Sequence, residues 1–155
     1  MKVNLGSLAV TSPAFEHGSR IPDEHSSNGA GTSPALSWTG VPQGTRSFAL
    51  VVHDPDAPLI DGFTHWVLYG IPADVRELPA GGGSQYTQGH NGMGQPGWTP
   101  PAPPPGHLTH HYFFHLYAIG GDPELPPRLS ASELLERIDA DVINQARAVG
   151  TYSNG

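Results

Sequence analysis

Two carboxylates, two histidines and a tyrosine carry most of the chemistry this chain offers. His53-Asp54-Pro55-Asp56-Ala57-Pro58 follows directly on an apolar run, so a proline-stiffened turn delivers Asp54 and Asp56 at a strand end. Taken alone, an Asp-Pro turn is an ordinary structural device. The same kind of position recurs, however: His65 opens the run HWVLYGI, and His110 precedes YFFHLYAI with Tyr112 two residues on, hence on its face of a strand. Carboxylates beside imidazoles can orient a protonated ring, bind a small anion or zwitterion, or move a proton. Such groups at the ends of three core segments, beside a Gly/Pro-rich loop, predict a small-ligand pocket.

Other motifs fail on context. Gly92, Gly94 and Gly97 fit a dinucleotide fingerprint, but the chain then runs into WTPPAPPP, where no helix can open to face a pyrophosphate. With Lys2 as the single lysine there is no phosphate-binding P-loop, and no G-x-S-x-G elbow occurs. HLTHHYFFH gathers His107, His110, His111 and His115, which raises a metal site. Strand alternation puts His111 and His115 opposite His110, so the four do not converge without a bulge, and no metal or other cofactor is expected.

The elements that must position these groups are short. Ser47–His53, His65–Ile71 and Tyr112–Ile119 are β-branched or aromatic and end in Pro, Gly or Asp, which predicts core strands. Lys2–Val10 and Ala35–Trp38 are weaker strand candidates. No helical pattern separates them, so an antiparallel sandwich or barrel is expected in place of a wound α/β fold. A capping box at Ser130 and Glu133, followed by Leu134, Leu135, Ile138, Val142, Ile143 and Ala146, predicts a C-terminal helix stopped by Gly150. Residues 81–106 have almost no means of making regular structure. They are read as an ordered functional loop anchored by Tyr86 and Trp98, because the 49 residues that follow are too few for a second core.

Composition narrows the field. The 155 residues suit one domain spanning 1–155, and the absence of cysteine excludes disulfides, thiolate catalysis and thiolate metal sites. A formal charge of −7 repels a phosphate backbone, so nucleic acid is not an expected partner. No apolar stretch is long enough for a transmembrane helix or a signal core, and the expected location is the cytoplasm.

Together these segments make the chain resemble the phosphatidylethanolamine-binding proteins, in their bacterial and archaeal branch often labelled Raf-kinase-inhibitor-like. The resemblance runs from about Phe15 to Tyr152 through GSRIPDEHSSNGAGTSPALSWTGVP, SFALVVHDPDAP, FTHWVLYGIP, GWTPPAPPPG, HHYFFHLYAI and GTYSNG. It implies a mainly β fold, a Greek-key sandwich of two antiparallel sheets with a C-terminal α-helix. It also implies a pocket for phosphate or phosphoethanolamine-like groups built from Asp54, Asp56, Ala57, Pro58, His65, His110 and Tyr112. Pro101 and Pro103 to Gly106 would form the pocket's loop wall, and a cis peptide is expected in or near the DPDAP turn. In that reading Asp54 orients His65 or His110, and Asp56 is the partner of an ammonium or hydroxyl. The resemblance further implies a homodimer and a possible protein partner such as a kinase. This chain departs from the family pattern at His111, where relatives carry Arg, and at Trp98 and Pro100, where they carry a phenol and a Gly. An enzyme using Asp54, His110 and His65 for acid–base chemistry is the alternative, weakened by the lack of a nucleophile beside them.

Overall fold

The computed structural model describes residues 6–154. Residues 1–5, and with them most of the Lys2–Val10 strand candidate, lie outside the described residues; the strand found there, β1, is Ala9–Thr11. It pairs with β2 (Leu36–Thr39), and β2 with β5 (Glu77–Leu78), in a small antiparallel sheet. The larger antiparallel sheet has the order β6-β4-β3-β7-β8, with β3 at Ser47–Asp54, β4 at Phe63–Pro72, β6 at Thr87–Gln88, β7 at His110–Ile119 and β8 at Val142–Tyr152. Strands β3 and β4 form a hairpin, and the chain then travels through residues 73–109 before β7 returns beside β3, the long connection of a Greek key.

Side chains alternate across the large sheet as its period of two requires. Phe48, Leu50 and Val52 of β3 and Tyr112, Phe114 and Leu116 of β7 face the small sheet, where Leu36, Trp38, Val10 and Ile21 close the main core. Ala49 and Val51 of β3, Val67 and Tyr69 of β4, and Tyr117 and Ile119 of β7 face the other way, under the helix α1 (Ala131–Ile138).

That helix is shorter than its sequence pattern predicts, and it is not the last element. The capping box is present: Ser130 Oγ accepts from the Glu133 N–H, and the Glu133 carboxylate accepts from the Ser130 N–H. Leu134 and Ile138 are buried, but the helix stops at Ile138, and Val142, Ile143 and Ala146 belong to the longest strand. The same apolar residues fit two periods. Pairing decides between them, because β8 satisfies the free edge of β7 along its whole length, from His110↔Tyr152 to Ile119↔Val142, and a longer helix would leave those backbone groups bare. Among the described residues no helix is long and apolar enough to cross a membrane.

Candidate functional site

The ends of β3, β4 and β7 open on one cavity of about 340 Å³. Its floor is Asp54, His65, His110 and Tyr112, and its walls include Ala57, Pro58, Leu59, Phe63, Met93, Pro100 and Ala102. These side chains meet because Asp54 ends β3 while His110 and Tyr112 share the face of β7 that turns toward the small sheet. A register shift between Val52 and His53 against β4 brings His65 to the same side.

Asp54 is 2% exposed and fully engaged. Its Oδ1 accepts from the Asp56 N–H at 2.8 Å, closing the turn, and its Oδ2 accepts from His110 Nδ1 at 2.6 Å. A buried carboxylate needs such pairing, since desolvation of an unpaired charge costs several kcal/mol. The other nitrogen of His110, Nε2, lies 2.7 Å from Nδ1 of His107. Asp54, His110 and His107 therefore form a continuous carboxylate–imidazole–imidazole chain from the buried floor to an exposed loop.

His65 is held differently. Its Nδ1 is 2.6 Å from the carbonyl of Thr99, and a carbonyl only accepts, so Nδ1 carries the hydrogen. Burial pushes the ring below the usual imidazole range, against the pull of Thr99 and Asp54, and leaves it neutral with an acceptor lone pair at Nε2. The loop is clasped in return, for the Thr99 N–H donates to the carbonyl of His65 at 2.8 Å. Tyr112 is 1% exposed, and its O–H has no protein partner among the described residues. Burial first, then the nearby Asp54 and Asp56, keep this phenol protonated throughout the physiological range. Edge-to-face contacts of His65 with Phe63 (4.8 Å between centroids) and with Tyr112 (5.1 Å) fix the ring planes.

Asn91 organises the loop between β6 and β7. The Asn91 side-chain amide donates to Gly97 O and Thr99 Oγ1 and accepts from the N–H groups of Met93 and Gln95. Trp98 anchors the loop, stacking on Phe114 and meeting Trp66 edge-on. Tyr86 packs against the same core.

Three of the residues that the sequence places at the pocket lie elsewhere. Asp56 does not line it; its Oδ2 accepts from both the backbone N–H (2.7 Å) and ring Nδ1 (2.9 Å) of His111. Partial burial pushes the Asp56 carboxyl up, but the two bonds from His111 outweigh that and hold it below the usual range. Asp56 is thus a brace between the turn and β7, with His111 as its partner. Pro101 is buried behind the wall, where its carbonyl accepts from Ser27 N, and Gly106 donates to Asn154 O on the outside. Pro103 and Pro104 do line the cavity. No peptide bond among the described residues is cis, so the DPDAP turn closes on the Asp54 side chain and not on an isomerised proline.

Sequence reasoning missed His107, Leu59, Phe63, Met93 and Thr99. Parity along a strand misled for His107, because β7 starts at His110 and His107 sits on a turn whose N–H bonds Pro104 O. Leu59 and Met93 carried a signal: they are large apolar residues stranded in Gly/Pro-rich loops, and both remain exposed at the mouth. Among the described residues no group of three or more His, Asp or Glu side chains is placed to hold a metal ion.

Comparison with known proteins agrees with this fold. Residues 11–153 fit the family model described as phosphatidylethanolamine-binding protein. The UPF0098 proteins of Aquifex aeolicus and Methanothermobacter thermautotrophicus are 39% and 40% identical, over 94% and 92% of this chain and 88% and 96% of their own. A crystal structure from Chlamydia trachomatis, described as a homologue of the phosphatidylethanolamine-binding proteins, superposes with a TM-score of 0.91 at 35% identity. The superposition covers 97% of this chain and 99% of the other. Escherichia coli YbcL, described as a member of the mammalian family, gives 0.88 at 33%, over 96% and 99%.

Proposed function

The chain belongs to the phosphatidylethanolamine-binding protein family, and from that premise we propose that its pocket binds a small phosphate-bearing or zwitterionic head group, with the phosphoethanolamine type as the closest fit. The observation that carries this reading is the pairing of one free donor and one free acceptor on a buried floor. The Tyr112 O–H can only be used as a donor to an anionic oxygen, while neutral His65 presents a lone pair at Nε2. The backbone N–H groups of Ala57 and Ala102, both at the cavity, also make no hydrogen bond among the described residues. An anionic oxygen between Tyr112 and these N–H groups, with an ammonium or a P–OH donating to His65, would satisfy every free group. The apolar walls Leu59, Phe63, Met93 and Pro100 exclude water and receive the non-polar part of the ligand.

Calorimetric titration with O-phosphoethanolamine and with inorganic phosphate tests this. Both are expected to bind, and Tyr112→Phe is expected to weaken each about tenfold, the worth of a hydrogen bond to a charged group. Absence of heat at millimolar ligand, in wild type and Tyr112→Phe alike, would reject the assignment. A second reading rests on the Asp54–His110–His107 chain, which has the layout of a proton path from solvent to a buried carboxylate. It predicts turnover that His107→Ala slows and that Tyr112→Phe spares.

A further inference from the structure

The large sheet has a second cavity on its opposite face. Helix α1 covers only part of that face, and beyond its first turn lies a cleft of about 690 Å³, roughly twice the size of the first. Its floor is Val51, His53, His115 and Tyr117. Its sides are Leu59 and Asp61 from the turn after β3, Phe63 at the start of β4, His90 from the loop after β6, and Ser132 and Leu135 from α1.

The floor carries hydrogen-bonding groups that the protein does not use. Tyr117 is 5% exposed, yet its O–H makes no hydrogen bond among the described residues, and neither ring nitrogen of His115 makes one. This contrasts with Tyr69 beside it on the same face, whose O–H donates to Pro126 O and accepts from Leu129 N. These polar atoms are not sealed in the interior: the buried side-chain atoms without a partner among the described residues are His25 Nε2 and Trp98 Nε1. A phenol and an imidazole that open together on one cleft, unused by the protein, therefore present a donor and an acceptor to whatever enters it.

Charge defines what that is. His115 faces Arg147 and His53, and burial first, then those two neighbours, lower it to about 4, so at neutral pH it offers one N–H and one lone pair and no charge. The edges carry Asp61 and, near His90, Glu133 of α1, which disfavour an anion, while Arg147 beside the floor disfavours a cation. The apolar part of the lining is Val51, Leu59, Phe63 and Leu135, and the uncharged polar part includes Thr64, Asn91, Ser130 and Ser132. We propose that this cleft is a second binding site, selective for an uncharged aromatic ring bearing a hydroxyl, carbonyl or amide that both donates to and accepts from Tyr117 and His115. The ring lies against Phe63 and Leu135, and its polar group points to the floor.

The test uses four rings of equal size and different charge: phenol, benzamide, benzoate and benzylammonium. Each is titrated into the full-length protein and followed by amide chemical shifts. Phenol and benzamide are expected to shift the amides of His115, Tyr117 and Ala131 and to bind about tenfold tighter than either charged ring. Tyr117→Phe is expected to lower phenol affinity about fivefold while leaving phosphate binding at the first pocket unchanged. Should that variant fail to fold, His115→Gln, which keeps a donor and an acceptor, serves in its place and is expected to retain phenol binding within about threefold. Equal affinity for all four rings, shifts confined to the first pocket, or Tyr117→Phe binding phenol as well as wild type would overturn the proposal.

Discussion

The two faces of the five-stranded sheet treat their polar groups in opposite ways. On the face toward the small sheet, Asp54, His110 and His65 are each fixed by a protein partner at 2.6–2.8 Å, while the Tyr112 O–H and His65 Nε2 open on the cavity without a partner among the described residues. On the outer face, His115 and Tyr117 are fixed by packing alone, in a stacked series Phe113–His115–Tyr117 with centroids 5.8 and 6.3 Å apart. The first arrangement is pre-organised by hydrogen bonds and pays with sensitivity to any lost partner. The second keeps its donor and acceptor open to the cleft. A single sheet thus uses its polar groups in internal bonds on one face and leaves a phenol and an imidazole unused on the other.

The contrast breaks most completely at Asp54. Asp54→Ala leaves His110 without its carboxylate and the Asp56 N–H without an acceptor, so a loss of about 3–5 kcal/mol in urea unfolding is expected, together with loss of phosphate binding. A loss under about 1 kcal/mol would show that the pair is not what holds the turn.

The outer face is sharpened by pH. The folded-state pKa of His115 lies below its unfolded value, so its contribution is fully present above about pH 6.5 and falls as pH drops toward about 4. Across that window His115→Leu is expected to lose about 2–3 kcal/mol less stability than wild type, measured as the difference between two unfolding curves at each pH. Parallel pH profiles of the two proteins would mean that His115 titrates normally. The smallest effect belongs to Asp56, whose side chain is 40% exposed: Asp56→Ala is expected to cost no more than about 1 kcal/mol and to weaken phosphate binding only slightly, since the brace to His111 is shared with solvent. Loss of binding as large as that of Tyr112→Phe would return Asp56 to the pocket.

The three central strands and the polar ends of β3, β4 and β7 were legible because alternation and turn residues agree there: each apolar run is also β-branched and ends at Pro, Asp or Gly. Residues 142–152 were not, since Val142, Ile143 and Ala146 satisfy a helical stripe and a strand alternation equally, and only the unpaired edge of β7, a distant element, chooses between them. At the site, Asp54, His65, His110 and Tyr112 were found because each is anchored to a strand whose parity can be counted. Asp56, Pro101 and Gly106 went astray for the opposite reason. They lie on turns, where one dihedral decides whether a side chain faces the cavity or a neighbour such as His111 or Asn154.

The reciprocal clasp between His65 and Thr99 ties a backbone distance to the location of a hydrogen atom. With the loop seated, the imidazole is held as a single tautomer; were it to lift, Nδ1 would be released and the hydrogen free to migrate to Nε2. The ring would then turn from acceptor to donor on the side facing the cavity. A molecule that needs the lone pair at Nε2 would therefore depend on residues 97–100 being seated.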